Sequence, residues 1–555
     1  LEPRIALAAD IQLGMVYYEA AAGFDAVPNT FTLTFKGGAP GTQLVELVID
    51  TDKEGDGLTI GDVLFDTAPT GRGAFAASPL AIVSHDGFSV TAEPVADGSQ
   101  RLVLRFSGFD AGERLVFTID VDEQGFLGQN AVAEGNEFEG SRLYATFTAP
   151  HYYDATGNDM FLDAFDFKLL PTGLDLPGDD YTPPNADPSP VLTAGAVITL
   201  TQMPLPISLA GTVFEDFNAN NTRDPEDVPL GNVALTLFRL EQGDYVPTSL
   251  TTVTDASGAY RFDNLLPGRY RIVETQPQGY LSVGARAGTV AGQTRGSVAT
   301  PDVLTDIDLA GGEDSSNNDF AEVRPASLCG YVYHDANDNG VRDQGESPIA
   351  NAELRVQNVA SGFSITVWTD ATGLWCAEGL LPGEYRVLEV QPAGYLDGRD
   401  APGTLGGIAH NPGDHIDGIQ LLGGQQGREY NFGELLPGSI SGIVHVDRNG
   451  DCLADADEPR LSGVVVQLLD RQGQVIAVTT TDADGRYRFD HLPPGTYGIR
   501  ELQPAGYLND EARVGTAGGT VTAVDTITGI RLASGVHAVG YDFCELEPAS
   551  ISGVV

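Results

Sequence analysis

Ser439-Ile-Ser-Gly-Ile-Val-His445-Val-Asp447-Arg-Asn449-Gly-Asp451-Cys-Leu453-Ala-Asp455-Ala-Asp-Glu458 joins a short apolar strand to a loop crowded with oxygen donors. The same join occurs twice earlier in the chain. Ser208-Leu-Ala-Gly-Thr-Val-Phe214 leads to Asp216-x-Asn218-x-Asn220-x-x-x-Asp224-x-x-Asp227, and Ser327-Leu-Cys-Gly-Tyr-Val-Tyr333 leads to Asp335-x-Asn337-x-Asn339-x-x-x-Asp343-x-x-Glu346. Recurrence at one spacing and in one context identifies a repeat unit.

Working outward, each copy continues through the same landmarks in the same order. An alternating strand follows the loop, such as Val233–Phe238 or Val464–Leu469. Next come the hairpin signals Thr254-Asp-Ala-Ser-Gly-Ala-Tyr260, Thr369-Asp-Ala-Thr-Gly-Leu-Trp375 and Thr481-Asp-Ala-Asp-Gly-Arg-Tyr487. Glu-x-Gln-Pro-x-Gly-Tyr then spans Glu274–Tyr280, Glu389–Tyr395 and Glu501–Tyr507. Each copy closes on Asn318–Glu322, Asn431–Glu434 or Asp542–Glu545. Period-2 alternation between closely spaced Gly, Pro and Asp turns predicts β-sandwiches.

The predicted organisation is all-β, with a separate N-terminal β-sandwich over 1–205 and repeats over 206–324, 325–437 and 438–548. Ser550–Val555 repeats the opening strand, so 549–555 reads as the start of a fourth copy. In the N-terminal part the candidate strands are Thr30–Phe35, Leu44–Ile49, Leu102–Phe106, Leu115–Ile119 and Ala196–Leu200, the last preceded by the Pro-rich stretch Pro183–Pro190. Linkers only a few residues long restrict bending and predict that the repeats stack into a semi-rigid rod.

Composition narrows the function. The 555 residues carry 30 Lys+Arg against 78 Asp+Glu, a formal charge of −48. Such a surface repels nucleic acid and anionic membranes and attracts divalent cations. Hydrophobic residues make up 42% of the chain, enough for folded cores rather than acidic disorder. No apolar run is long enough to span a bilayer, and no signal peptide is present; the chain reads as a processed or partial piece of something longer. The four cysteines divide as two in the second repeat and two in the third, a parity that favours Cys329–Cys376 and Cys452–Cys544 disulfides and an oxidising compartment, with free buried thiols as the alternative.

Oxygen donors at loop positions 1, 3, 5, 9 and 12, with a backbone carbonyl at 7, are the arrangement that wraps Ca2+. The spacing assigns Asp216, Asn218, Asn220, Thr222, Asp224 and Asp227 to the first site. Asp335, Asn337, Asn339, Val341, Asp343 and Glu346 form the second, and Asp447, Asn449, Asp451, Leu453, Asp455 and Glu458 the third. The flanking segments are strands, so these are EF-hand-like loops without the helices. Tight coiling needs conformational freedom, which Gly340, Gly450 and Asn221 supply. A solvated acidic turn is the plain reading of any one loop; three matched copies favour the ion. The carboxylates give formal charges of −3, −3 and −4, so the third loop is expected to bind most tightly.

Other oxygen clusters are less specific. Asp255, Asp370 and Asp482 read first as turn residues, although a second ion per repeat through them stays open. Asp50-Thr-Asp52-Lys-Glu54-Gly-Asp56-Gly, ending at Asp62, is dense in carboxylates but departs from the twelve-residue spacing. The eight histidines show no metal-ligand spacing, and His334 and His445 simply precede two of the loops. Tyr17–Tyr18 and Tyr152–Tyr153 are either aromatic ligand platforms or packing residues, packing being the commoner fate. No nucleophile-elbow, Walker or zinc-protease motif appears, and no enzymatic activity is expected.

The repeats resemble the serine-aspartate-repeat B-type modules of Gram-positive surface adhesins, within the wider collagen-adhesin B-type superfamily. The acidic loop, the Thr-Asp-x-x-Gly-x-Tyr hairpin and the Glu-x-Gln-Pro-x-Gly-Tyr stretch carry that resemblance. It implies transthyretin-like, immunoglobulin-like sandwiches forming a calcium-stiffened stalk of an extracellular cell-surface protein. Leu1-Glu-Pro-Arg4 resembles a short segment near the start of many large bacterial surface proteins. Many superfamily members join a Lys on the first strand to an Asn on the last, promoted by a Glu. Glu274, Glu389 and Glu501 stand where that Glu would be and Asn431 near one such Asn, but the lysines are only Lys36, Lys53 and Lys168, so no such bond can form in the repeats. The expected function is therefore structural or adhesive, as a stalk or as fibres or a surface layer built by self-association. The alternative is a glycan- or protein-binding N-terminal module, contacting host or matrix, on a repeat spacer.

Overall fold

The computed structural model describes residues 8–18, 29–69, 77–124, 138–163 and 193–553. The Leu1–Arg4 segment, Lys168 and the Pro183–Pro190 stretch lie outside them. The described residues form strands and turns, and no helix is long and apolar enough to cross a membrane. Two compact units emerge, one of Leu1–Val213, Leu230–Thr275 and Ala285–Phe320, the other of Phe214–Pro229, Gln276–Gly284 and Ala321–Val555. The division passes through the first repeat.

The first unit begins with two antiparallel sheets. One runs Leu162–Asp163, Thr193–Gln202, Ala9–Tyr18, Asn29–Gly37, Arg114–Glu123, Val63–Asp66, with Ala81–His85 also on Arg114–Glu123. The other runs Ala155–Met160, Arg142–Thr148, Gln43–Asp50, Arg101–Asp110, Ser89–Ala92. Ile11, Leu13, Met15, Phe31, Leu33 and Phe35 from the first sheet share one buried core with Leu44, Leu47, Ile49, Leu102 and Leu104 from the second. All five strands expected from the alternation are present. Ala9–Tyr18 was not anticipated, because it is buried on both faces along much of its length and so does not alternate. The Tyr17 ring is fully buried and stacks on Phe138 at 4.6 Å, and Tyr152 is buried while Tyr153 is exposed, so neither tyrosine pair is a platform. The same unit holds a five-stranded sheet of the first repeat, Asp244–Val253, Ala234–Glu241, Gly268–Glu274, Val303–Leu309, Ser297–Thr300.

The second unit contains the second and third repeats whole, and they share one topology. In the third, Arg486–Leu492, Gly438–Val446, Asp542–Leu546 and Leu508–Arg513 make one sheet. Val475–Thr480, Val465–Leu469, Gly495–Glu501, Thr526–Leu532 and Thr520–Ala523 make the other. The opening strand lies parallel to the closing one, Val444 opposite Phe543 and His445 opposite Cys544. In the second repeat Val332 is likewise opposite Phe432, also in parallel. Inward residues such as Ile440, Val444, Val466, Leu468, Ile499, Ile527 and Phe543 form one core per sandwich. Both disulfides join the cysteines paired by parity, Cys329–Cys376 and Cys452–Cys544. The first bridges directly opposed residues of neighbouring antiparallel strands. Ser550–Gly553 takes no strand conformation.

Successive sandwiches meet at a recurring joint. Only Arg324 and Pro325 separate Asp319–Val323 from Ala326–His334, and only Leu436 and Pro437 separate Phe432–Leu435 from Gly438–Val446. The turn after the penultimate long strand of one repeat docks against the preceding domain. Gly423 N donates to Phe217 O and Gly424 N to Arg324 O, both at 2.8 Å. One repeat later, Ser534 Oγ donates to or accepts from His334 Nε2 at 2.7 Å, and Gly535 N donates to Leu436 O at 2.9 Å. In the first unit Gly311 O lies 2.7 Å from His151 Nδ1. At Gly423 the approach is so close that a Cβ would lie 2.5 Å from Val323 Cγ2.

Candidate metal centres

Each acidic loop starts where the opening strand ends, and the first carboxylate is held at that point by its own backbone. Asp216, Asp335 and Asp447 are buried, and their N–H groups donate to the carbonyls of Glu322, Glu434 and Glu545 on the closing strands at 2.7–2.9 Å. Their side chains then pull the loop around. Asp216 Oδ2 accepts from Asn221 N at 2.6 Å, Asp335 Oδ2 from Gly340 N at 2.7 Å and Asp447 Oδ2 from Cys452 N at 2.6 Å.

That coiling places loop positions 4 and 6 in the left-handed region in all three copies. Position 6 is Asn221, Gly340 or Cys452, with φ of 57°, 73° and 54°. Position 4 is Ala219, Asp338 or Gly450, with φ of 55°, 54° and 76°. Four of these six residues, Ala219, Asn221, Asp338 and Cys452, carry a Cβ that disfavours such angles, so the loop's hydrogen bonds must hold them there. The assignment of conformational freedom to Gly340, Gly450 and Asn221 therefore misses Ala219, Asp338 and Cys452.

The remaining donors converge. Asn218 and Asn220 direct Nδ2 to one oxygen, Asp224 Oδ2, at 3.0 and 2.8 Å. Asn337 and Asn339 do the same to Asp343 Oδ2, each at 2.9 Å. In the third loop Asn449 Nδ2 reaches Asp451 Oδ2 at 3.2 Å and Asp455 Oδ2 at 3.1 Å. The carboxylate at position 9 is thus met by neutral amide N–H groups. Turning each amide over would present its Oδ1 to the same point, a donor set suited to a hard cation. Position 7 (Thr222, Val341, Leu453) donates its N–H to the side chain at position 5, at 2.7–2.9 Å.

The acid at position 12 closes the loop. Glu346 accepts from Ala336 N and Asp343 N at 3.0 and 2.9 Å, and Glu458 from Arg448 N and Asp455 N at 2.8 and 3.1 Å. Asp227, a methylene shorter, still spans from Phe217 N at 3.1 Å to Asp224 N at 2.7 Å. Electrostatics differ between copies. Burial pushes the Asp216 carboxyl up, whereas at Asp447 burial is outweighed by N–H groups of Cys452, Gly450, Asn449 and Asp451, which hold it below its ordinary value. His445 is fully buried with Nε2 at 3.5 Å from Glu458 Oε2, and burial pushes its imidazole down.

Elsewhere, Asp255 and Asp370 each collect two N–H groups and a hydroxyl on one carboxylate oxygen, and Asp482 two N–H groups, the geometry of turn caps. In the N-terminal domain, Asp52, Asp56 and Asp62 bring ligand atoms within 4.8 Å of one another. Asp62 closes that loop much as position 12 does in the repeats, accepting from Lys53 N at 3.1 Å and Thr59 N at 2.7 Å.

The Glu-x-Gln-Pro stretch has a role that its sequence did not disclose. Glu501 at the end of its strand and Glu545 on the closing strand bring carboxylate oxygens within 4.8 Å of each other and of Asp525. Gln503 donates to Glu545, and Gln391 donates to the corresponding Glu434. Burial, reinforced by Glu545, pushes Glu501 up to about 9, and burial pushes Glu434 up to about 7. Glu389, buried and facing Glu434, is raised well above the ordinary range. Asn431, meanwhile, accepts from Tyr331 N at 3.0 Å and so pins the opening strand. Asp542 does the same for Ile443 N at 2.9 Å.

The eight histidines show no metal-ligand spacing in the sequence, and two of them are brought together only by the fold. His410, His415 and Asp417 converge on one hairpin of the second repeat. The turn at Asn411-Pro412-Gly413 folds the two histidines onto neighbouring strands, directly opposite each other.

The family model described as the SdrD B-like domain matches residues 207–321, 326–406 and 429–540. Serine-aspartate repeat-containing protein F of Staphylococcus epidermidis is 30% identical over 309 residues, 55% of this chain and 18% of that protein. Serine-aspartate repeat-containing protein D of Staphylococcus aureus is 29% identical over 307 residues, 54% of this chain and 22% of that protein. The chain thus spans about a fifth of the length of these curated relatives. Among solved structures, the Bacillus anthracis TIE protein aligns over 96% of this chain and 75% of its own at 12% identity, with a TM-score of 0.29. The major pilin subunit BcpA of Bacillus cereus aligns over 61% and 99% at 12% identity, with a TM-score of 0.24. Three successive matches cover more than half of the residues, and the chain belongs to the SdrD B-like domain family.

Proposed function

We propose that this is a structural and adhesive protein of the bacterial cell surface, in which calcium held by the three acidic loops stiffens tandem sandwiches into a stalk. The extracellular, cell-surface location follows from the family and agrees with two disulfides formed inside the repeats. One observation carries the mechanical part. Phe217, the second residue of the first acidic loop, accepts the Gly423 N–H of the next repeat, and His334, just before the second loop, meets Ser534 of the third. A loop that changes its order therefore changes the joint.

Asp216, Asp335 and Asp447 anchor each loop on its opening strand, the Asn side chains and the position-9 carboxylates converge, and the position-12 acid ties the loop's start to its end. Calcium, when bound, supplies the positive charge that offsets repulsion among these carboxylates. The residues then transmit that order through the short Arg324-Pro325 and Leu436-Pro437 connections. The test is melting and small-angle scattering of the full chain with and without EDTA. Chelation should lower the melting temperature and broaden the distribution of interdomain distances; no change in either would overturn the proposal. Electron microscopy of the native assembly distinguishes single stalks from fibres.

A further inference from the structure

Outside the acidic loops, one cluster combines nitrogen and oxygen donors. In the second repeat Ile408–His410 and His415–Leu421 form an antiparallel hairpin at the edge of a sheet, with His410 directly opposite His415. Directly opposed residues share a face, and so do residues two apart on a strand. His410, His415 and Asp417 therefore project together, while Ile416 turns into the core.

Asp417 Oδ2 lies 3.3 Å from His410 Nε2 and 3.7 Å from His415 Nε2, and the two imidazoles stack at 4.2 Å with an interplanar angle of 14°. Tetrahedral coordination with bonds of about 2.0–2.1 Å places neighbouring ligand atoms about 3.3 Å apart, so the His410–Asp417 separation already matches an edge of such a site and His415 Nε2 lies slightly beyond it, all three ligand atoms falling within 4.8 Å of one another. Asp417 Oδ1 is buried and makes no hydrogen bond among the described residues. The three side chains remain 43%, 37% and 38% exposed, which leaves a face of the site open to solvent.

We propose that His410, His415 and Asp417 form an open three-ligand site for a borderline divalent transition-metal ion, with zinc as the probe. Two imidazole nitrogens and one carboxylate suit such an ion and not calcium, which takes oxygen donors. The site belongs to the second repeat alone: the corresponding hairpins pair Thr300 with Val303 and Ala523 with Thr526. It leaves a fourth position for water or a donor from another molecule.

The test is a zinc titration of the full chain against a chromophoric competitor, in saturating calcium so that the acidic loops are occupied. One zinc per chain is expected, with His410→Gln or His415→Gln weakening it at least about tenfold and the double variant abolishing it. Cobalt should give a visible spectrum with nitrogen–oxygen coordination that vanishes in the double variant. Full stoichiometry in the double variant, displacement of zinc by excess calcium, or no binding by the wild-type chain would each overturn the proposal. Melting curves of the variants separate loss of ligands from loss of fold, and the wild-type cobalt spectrum tests the site without any substitution.

Discussion

Cys452 donates its backbone N–H to Asp447 Oδ2 at 2.6 Å while its sulfur is bonded to Cys544 on the closing strand. The third acidic loop is thereby tied covalently to the sheet it leaves. The first and second loops have Asn221 and Gly340 at the same position, with no such tether.

That tether gives the first prediction. Replacing Cys452 and Cys544 together by Ser should lower both the melting temperature and the calcium affinity of the third loop. Replacing Cys329 and Cys376, which bridge two strands away from the second loop, should lower only the melting temperature. Chain entropy sets the size of either loss at up to about 4–5 kcal/mol. Calorimetry with calcium titration of each pair checks it, and equal effects on affinity would argue against coupling through Cys452.

Affinity should also rank by charge. The third loop offers Asp447, Asp451, Asp455 and Glu458, one carboxylate more than either of the others. Alanine at Asp216, Asp335 or Asp447, one at a time, should each remove one calcium, and the Asp447 variant should remove the tightest. A titration in which the third loop binds most weakly would count against the proposed ligand set.

Acidity of the buried glutamates gives a pH dependence with a definite sign. An unfolded glutamate titrates at about 4.3, whereas burial and Glu545 raise Glu501 to about 9. Between these values the folded state holds more protons than the unfolded one. The stabilisation is therefore full below the unfolded value and is lost as pH rises through the folded value. Glu434, raised to about 7, adds a loss with the same sign in the second repeat. In calcium-free protein, melting temperature should fall from weakly acid to weakly alkaline pH, and Glu501→Gln should flatten that slope. A slope unchanged by the substitution would exclude the pair as its source.

The joint between the first and second repeats should open without unfolding either. Gly423→Val places a side chain where Val323 Cγ2 already sits 2.5 Å from an added Cβ. Scattering or fluorescence transfer across the joint should show a wider distance distribution. The melting temperature should change by less than about 1 kcal/mol's worth, because no core is altered. A distribution identical to wild type would mean that the joint does not restrain the repeats.

Much of this architecture is legible in the sequence because the repeats report themselves three times. Loop positions 1, 3, 5, 9 and 12 show through directly, since side-chain oxygens are what a sequence records. The disulfides follow from which repeats contain cysteines. Ala219 and Cys452 in left-handed conformations do not show, because nothing in those residue types announces a positive φ. Ala9–Tyr18 escapes because burial on both faces erases the period-2 pattern. Glu501 with Glu545, and His410 with Asp417, are pairs made by strand register, which residue types alone do not specify. No metal-ligand spacing appears among the histidines until the hairpin at Asn411-Pro412-Gly413 is folded.

The parallel placement of opening and closing strands, Val444 beside Phe543 and Val332 beside Phe432, has a mechanical consequence. Tension applied through the two ends of such a sandwich slides these strands along each other and loads their hydrogen bonds together, in shear, rather than one after another as in unzipping. If the ladder did yield in the third repeat, the Cys452–Cys544 bond would close off the 92-residue separation between them and leave only the short segment before Cys452 free to lengthen. The repeat is thus built as a link whose extension under load is limited by its own covalent bond.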